Sequence, residues 1–157
     1  MTKSFSLILF LIALSVAPFI DRLGFYRAFE SSSASQMDSE LKNLKSAKAN
    51  TTRDAYIGAL IMKKSQFMAT PKEKVEKFKE GAALLEAAIR SEPSNSEFRF
   101  LRFAIQENVP KIVKYSSNIE EDKAVIVKSY KHMDPTLKKV VRSYANASKN
   151  LSPGELN

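Results

Sequence analysis

A chain of 157 residues with no cysteine, four glycines and six prolines is long enough for one hydrophobic core and cannot build a disulfide framework. Its formal charge of +8 comes without an Arg-rich cluster interleaved with aromatics, so the Lys residues read as solvated helix faces and nucleic acid is not an expected partner. Clusters of β-branched residues bounded by Gly turns are missing and Lys, Glu, Ala and Leu abound, which excludes a sheet fold and predicts an all-α domain.

Lys3 precedes the apolar run Phe5–Ala17, which ends in small residues at Ala13, Ser15 and Ala17. That layout predicts a signal peptide over residues 1–20, or an N-terminal membrane anchor if the segment stays uncleaved. Phe5–Ile20 falls short of the roughly 20 residues that span a bilayer, which favours cleavage. The expected location is therefore outside the cytoplasm, in a periplasm, or on its membrane if the segment is retained. Residues 21–151 are expected to form a single helical domain and 152–157 a short tail.

After the serines at 31, 32, 33 and 35, Met37, Leu41 and Leu44 recur at helical spacing to about Ala49. Thr51 or Thr52 is the expected cap of a second helix, nearly apolar all round from Tyr56 to Met68, in which Gly58 removes a side chain where a neighbour could approach. This helix is expected to be central. The third begins at Thr70-Pro71-Lys72-Glu73, a capping box with proline at the first helical position. Its apolar residues Val75, Phe78, Ala82, Leu85 and Ile89 lie beside Gly81, Leu84 and Ala88, so it can touch two partners. It stops at Ser91-Glu92-Pro93, and Ser94-x-x-Glu97 repeats the capping-box pattern.

In the fourth helix Phe98, Phe100, Leu101, Phe103, Ala104 and Ile105 cover more than half the circumference, while Arg99, Arg102 and Gln106 share one stripe. Two readings of that stripe stand side by side. The arginines can pair with Glu120, Glu121 or Asp122 and lock the next segment in place, or they can line a groove that grips a carboxylate or a peptide. Asn108-Val109-Pro110 ends this helix. Asn118 is the expected cap of a fifth, and Asp134-Pro135 starts a sixth with Leu137, Val140, Val141 and Tyr144 on its apolar side. About six helices in antiparallel hairpins are thus expected.

Ile57-Gly58 followed by Ile61, then Gly81, Leu85, Ala88 and Pro93, resembles a tetratricopeptide (TPR) unit, with an insertion around Phe67–Lys74 at the tip. The stretch from Asp54 to Ile126 is also similar to small exported TPR-like proteins of Gram-negative bacteria. The resemblance implies a scaffold or adaptor that binds another protein or peptide, and it supplies no catalytic residue.

Chemistry has little to use. His132 is the single histidine, no thiol exists, and neither a His-Glu-x-x-His pair nor a Gly-rich phosphate loop is present. No enzyme activity, cofactor or metal is expected. The sequence is read as a monomeric exported domain that binds a protein or peptide partner. The alternative is a membrane-anchored accessory protein whose last helix sets the basic face of Lys138, Lys139, Arg142 and Lys149 against anionic lipid.

Overall fold

The computed structural model describes residues 20–110 and 113–157, so the expected signal segment lies outside the described residues except for Ile20. The described residues form seven α-helices and no strand: α1 Arg22–Glu30, α2 Ala34–Ser46, α3 Thr51–Lys64, α4 Pro71–Ser91, α5 Ser96–Asn108, α6 Ile119–Ser129 and α7 Pro135–Ala145. Short 3-10 turns at Ser65–Phe67, Tyr130–His132 and Pro153–Glu155 complete them. The fold is all-α, as the composition requires.

The helix beyond the expected six is α1. It was hidden because it follows an apolar leader directly and precedes a serine run that looks like a linker. Phe25, Tyr26, Ala28 and Phe29 form its buried stripe. The serines are punctuation: the Ser31 hydroxyl donates to the Ala28 carbonyl at 2.9 Å, and Ser33 Oγ accepts the Gln36 N–H at the start of α2.

Capping differs from expectation at three helices; at α6, Asn118 holds the cap position but its side chain accepts no backbone N–H of that helix. Asn50, in extended backbone, caps α3 by accepting the Arg53 N–H at 2.8 Å, which leaves Thr51 and Thr52 inside the first turn. Asn95 caps α5 by accepting from the Glu97 and Phe98 N–H groups, which frees Glu97 from any capping box. Thr70, Pro71 and Glu73 start α4 as read, with both bonds of the capping box made.

Helices α3 and α4 run antiparallel and touch backbone to backbone. A Cβ built on Gly58 would lie 2.7 Å from the Gly81 carbonyl oxygen and 2.8 Å from the Leu85 nitrogen; one on Gly81 would lie 2.5 Å from the Gly58 oxygen and 2.8 Å from the Met62 nitrogen. Partner numbers fall along α4 as they rise along α3, which gives the direction. Only glycine permits this approach, so the pair depends on both positions.

The centre of the bundle is shared. Residues 55–62 of α3 are buried, and in α5 every residue from Glu97 to Gln106 is buried, the polar stripe included. Phe98, Phe100, Leu101 and Phe103 are at most 1% exposed, and each such side chain contributes about 1.5–3 kcal/mol on burial. Tyr144 of α7 packs edge-on against Phe100 and Phe103 with centroids 5.4 and 6.2 Å away.

The stretch read as a tail is folded onto the body. Leu151 and Leu156 are buried, Arg142 donates to the Leu156 carbonyl at 2.9 Å, and Lys123 pairs with Glu155. Leu156 lies too close to Pro153-Gly154 for a sequence pattern to mark it as core.

Candidate functional site

Arg99, Arg102 and Gln106 come together with α6. Arg102 donates from Nε to Asp122 Oδ2 and from Nη2 to Asp122 Oδ1, both at 2.7 Å, and from Nη1 to Glu86 Oε2 of α4 at 2.9 Å. Arg99 donates to Asp122 Oδ1 at 3.0 Å, to Glu121 Oε1 at 2.7 Å and to the Pro93 carbonyl at 2.8 Å. Asp122 is wholly buried, and Arg99 and Arg102 are 8% and 4% exposed. Burial opposes the Arg102 charge, but the bonds to Asp122 and the nearby Glu86 outweigh it and hold the guanidinium more firmly protonated than usual. Gln106 Nε2 reaches Asn118 Oδ1 at 3.5 Å. Partner numbers again run in opposite directions, so α5 and α6 are antiparallel and the stripe is their clasp. Among the described residues both arginines are already bonded to protein carboxylates, so their guanidinium groups are committed to the clasp.

A second polar centre sits at the start of α5. Glu97, 5% exposed, accepts from Tyr56 at 2.7 Å, from Tyr26 at 2.9 Å and from Arg22 Nε at 2.9 Å, and pairs in addition with Arg22 Nη2. Arg22 Nη1 also meets Asp134 Oδ2, the cap of α7, at 2.5 Å. The bond to Glu97 raises the Arg22 pKa against the cost of its partial burial. Burial first, and Glu97 second, push both tyrosine hydroxyls well above their ordinary range. One carboxylate thereby ties together α1, α3 and α5, with α7 reached through Arg22.

Above this centre opens a cavity of about 780 Å³. Arg22, Tyr56 and Glu97 form its floor, Met133 and Leu137 part of its apolar wall, and Lys48, Thr52, Ser96 and His132 stand at its margins. The helix starts of α1, α3, α5 and α7 all border it, with their cap side chains occupied by their own backbone N–H groups at Asn50, Asn95 and Asp134. Among the described residues, the side chains of Lys48, Thr52, Ser96 and His132 make no hydrogen bond or ion pair, so the floor is finished and the margins are available. The volume lies within the range of ligand sites, about 300–1,000 Å³.

A smaller cavity of about 480 Å³ lies between Phe29, Met62, Lys63, Phe78, Ile105 and Tyr144. Lys63 sits over the Phe29 ring at 5.1 Å, and burial lowers its pKa. Glu107, farther along α5, accepts from Tyr144, Ser148, Lys149 and Asn150 and ties the chain after α7 to α5.

The basic residues of the last helix are partly committed. Arg142 serves Tyr130 and Leu156, and Lys138 Nζ donates to the Lys131 carbonyl at 2.7 Å, while Lys139 and Lys149 are exposed. No helix among the described residues is long and apolar enough to cross a membrane. No group of three or more His, Asp or Glu side chains among them is arranged to hold a metal ion.

Sequence reasoning reached the α5–α6 clasp as one of two alternatives and missed the Glu97 centre and the cleft above it. A signal for that centre existed: Arg22 and Tyr26 are one turn apart, Tyr56 sits on an otherwise apolar helix, and Glu97 adjoins Phe98. Their convergence across 75 residues of chain needs the tertiary fold. Comparison of the chain with family models, with curated proteins and with solved structures gave no match.

Proposed function

We propose that this chain is an exported, non-catalytic helical domain that holds a segment of another protein in the cleft above Glu97. The carrying observation is the division of labour in that cleft: a floor whose charges are mutually neutralised, and margins at Lys48, Thr52, Ser96 and His132 without intramolecular partners among the described residues. Apolar wall and hydroxyl-bearing edge together suit a peptide, which offers side chains to the first and backbone groups to the second. The TPR resemblance supports the scaffold role, and the leader-like Lys3 and Phe5–Ala17 support export, with a periplasmic setting as the reading. A catalytic role gains no support, because the two carboxylates of the cleft, buried Glu97 and exposed Asp134, are both paired with Arg22, and His132 has neither an orienting carboxylate nor a nucleophile bonded to it among the described residues.

The test is site-specific photo-crosslinking in cells that make the protein, with the reactive residue placed at Thr52, at Ser96, or at exposed Ala83 on α4 as reference. Discrete adducts from both cleft positions and none from Ala83 are expected. Equal labelling at all three positions, or no adduct in the cleft, would overturn the reading.

A further inference from the structure

The cavity of about 480 Å³ is bordered by the ends of α1, α3, α5 and α7, the four helices whose starts border the cleft, so it is a separate site. Its walls include Phe29, Met62, Phe78 and Ile105, each no more than 6% exposed. The polar groups of the lining are nearly all spent within the protein. The Ser65 hydroxyl donates to the Met62 carbonyl at 2.7 Å, Gln66 Nε2 to the Lys63 carbonyl at 3.1 Å, Asn108 Nδ2 to the Ala104 carbonyl at 2.8 Å, and the Tyr144 hydroxyl to Glu107 at 2.5 Å. Lys63 is the exception: its Nζ lies 5.1 Å from the centre of the Phe29 ring and makes no hydrogen bond or ion pair among the described residues. Burial pulls its pKa down, and the charge of Glu30, which lines the same cavity from an exposed position, opposes that pull without cancelling it. A desolvated lysine keeps more of its amine neutral, and therefore nucleophilic, than one in water.

We propose that this cavity holds an apolar aldehyde, with its hydrocarbon tail against Phe29, Phe78 and Ile105 and its carbonyl carbon joined to Lys63 Nζ as a reversible imine. Apolar walls with a single reactive polar group suit such a ligand. The neutral amine adds to the carbonyl carbon and forms the C–N bond; the two nitrogen protons and the carbonyl oxygen then leave as water, and C=N remains. No oxidant or reductant is consumed, and water reverses the step. A carboxylate of the same tail length fits less well, because Glu30 repels it, whereas Glu30 favours the positive charge of a protonated imine.

The test treats the full chain with limiting octanal and cyanoborohydride, which reduces an imine to a stable secondary amine, and locates the modified lysines by peptide mass mapping. Labelling of Lys63 should exceed that of exposed Lys72 and Lys139 by at least about tenfold, since a bound tail raises the local concentration of the carbonyl. Propanal, whose tail is too short to hold the cavity walls, should lose that preference. Octanol, which occupies the cavity without reacting, should slow labelling of Lys63 and leave Lys72 and Lys139 unaffected. Equal labelling of the three lysines would make Lys63 an ordinary amine and overturn the inference. A preference for Lys63 that propanal shares would show a reactive lysine with no tail site, and protection by octanoate but not by octanol would assign the cavity to anions; either result overturns it as well.

Discussion

Replacing Gly81 by alanine adds a single carbon and should weaken the fold by more than a helix could gain from it. The new Cβ would stand 2.5 Å from the Gly58 carbonyl oxygen and 2.8 Å from the Met62 nitrogen, and both are backbone atoms of α3 that cannot rotate away. Ordinary C···O contact is about 3.3–3.6 Å, so the helices must part by about 1 Å where they are closest. A gap of that size forfeits roughly a quarter to a half of the dispersion energy of each contact it opens, and overpacking of this kind costs about 1–3 kcal/mol. Against it stands a gain of about 1 kcal/mol, because alanine is the better helix former. The net expectation is a loss of up to about 2 kcal/mol for Gly81→Ala, and more for Gly81→Leu. Denaturant midpoints followed by helical circular dichroism are the assay, with Ala83→Gly on the exposed face of α4 as the propensity scale. Gly58→Ala should match Gly81→Ala, and the double variant should lose less than the sum, since either change parts the same helices. A Gly81→Ala protein about 1 kcal/mol more stable than wild type would show that α3 and α4 do not meet there.

Arg102→Met should cost about 2–4 kcal/mol by leaving buried Asp122 with Arg99 alone, and Arg102→Met/Asp122→Leu should recover part of it in a double-mutant cycle; a single variant of wild-type stability would refute the clasp. Glu107 is half-buried, which alone would raise its pKa, yet the bonds from Tyr144, Ser148 and the backbone of Lys149 and Asn150 hold it below the usual carboxylate range. Its stabilisation is therefore present above the unfolded value near 4.5 and lost as pH falls through the folded value. Midpoints measured from neutral to acid pH should fall less steeply in Glu107→Gln, and an unchanged slope would remove that role. At the other extreme, burial raises the hydroxyls of Tyr26, Tyr56, Tyr115 and Tyr144 above 10. Stability should be intact below pH 10 and decline above it, as the unfolded chain releases those protons first. Tyrosinate absorbance and helix loss should then rise together, and ionisation near pH 10 with the helices intact would contradict the packing.

The sequence carried the helical content, the α4 start at Thr70-Pro71 and the close approach at Gly58 and Gly81, because periodicity, caps and glycines act within a few residues of themselves. It also brought Arg99 and Arg102 to the correct neighbour as one of two readings. What it could not show is how distant segments meet. Glu97 looked like a capping residue because Ser94 stands three residues earlier, and only the adjacent Asn95, taking the cap, turns Glu97 toward Arg22, Tyr26 and Tyr56. The cleft is legible still less, since it is bordered by the beginnings of four helices spread from residue 22 to residue 137. Leu156 was hidden for a different reason: a lone leucine after Pro-Gly has no periodicity to betray its burial.

The carboxylates along α5 and α6 decide more than how tightly the helices adhere. Phenylalanine and leucine would pack nearly as well if a neighbour slid along α5 by one turn, about 5.4 Å, because apolar contact does not depend on which atom it meets. A slide would not be neutral for Glu97, Asp122 or Glu107. Glu97 and Glu107 would lose the donors that α1, α3 and the chain after α7 bring to their own heights, Asp122 of α6 would lose Arg99 and Arg102 of α5, and a buried carboxylate without donors is far costlier than a mismatched methyl group. Alignment in this bundle is thus selected by charge at three levels of one helix. Exchanging all three carboxylates and their partners for well-fitting apolar residues would leave a protein that still collapses, with several ways to line up its helices and no stable cleft.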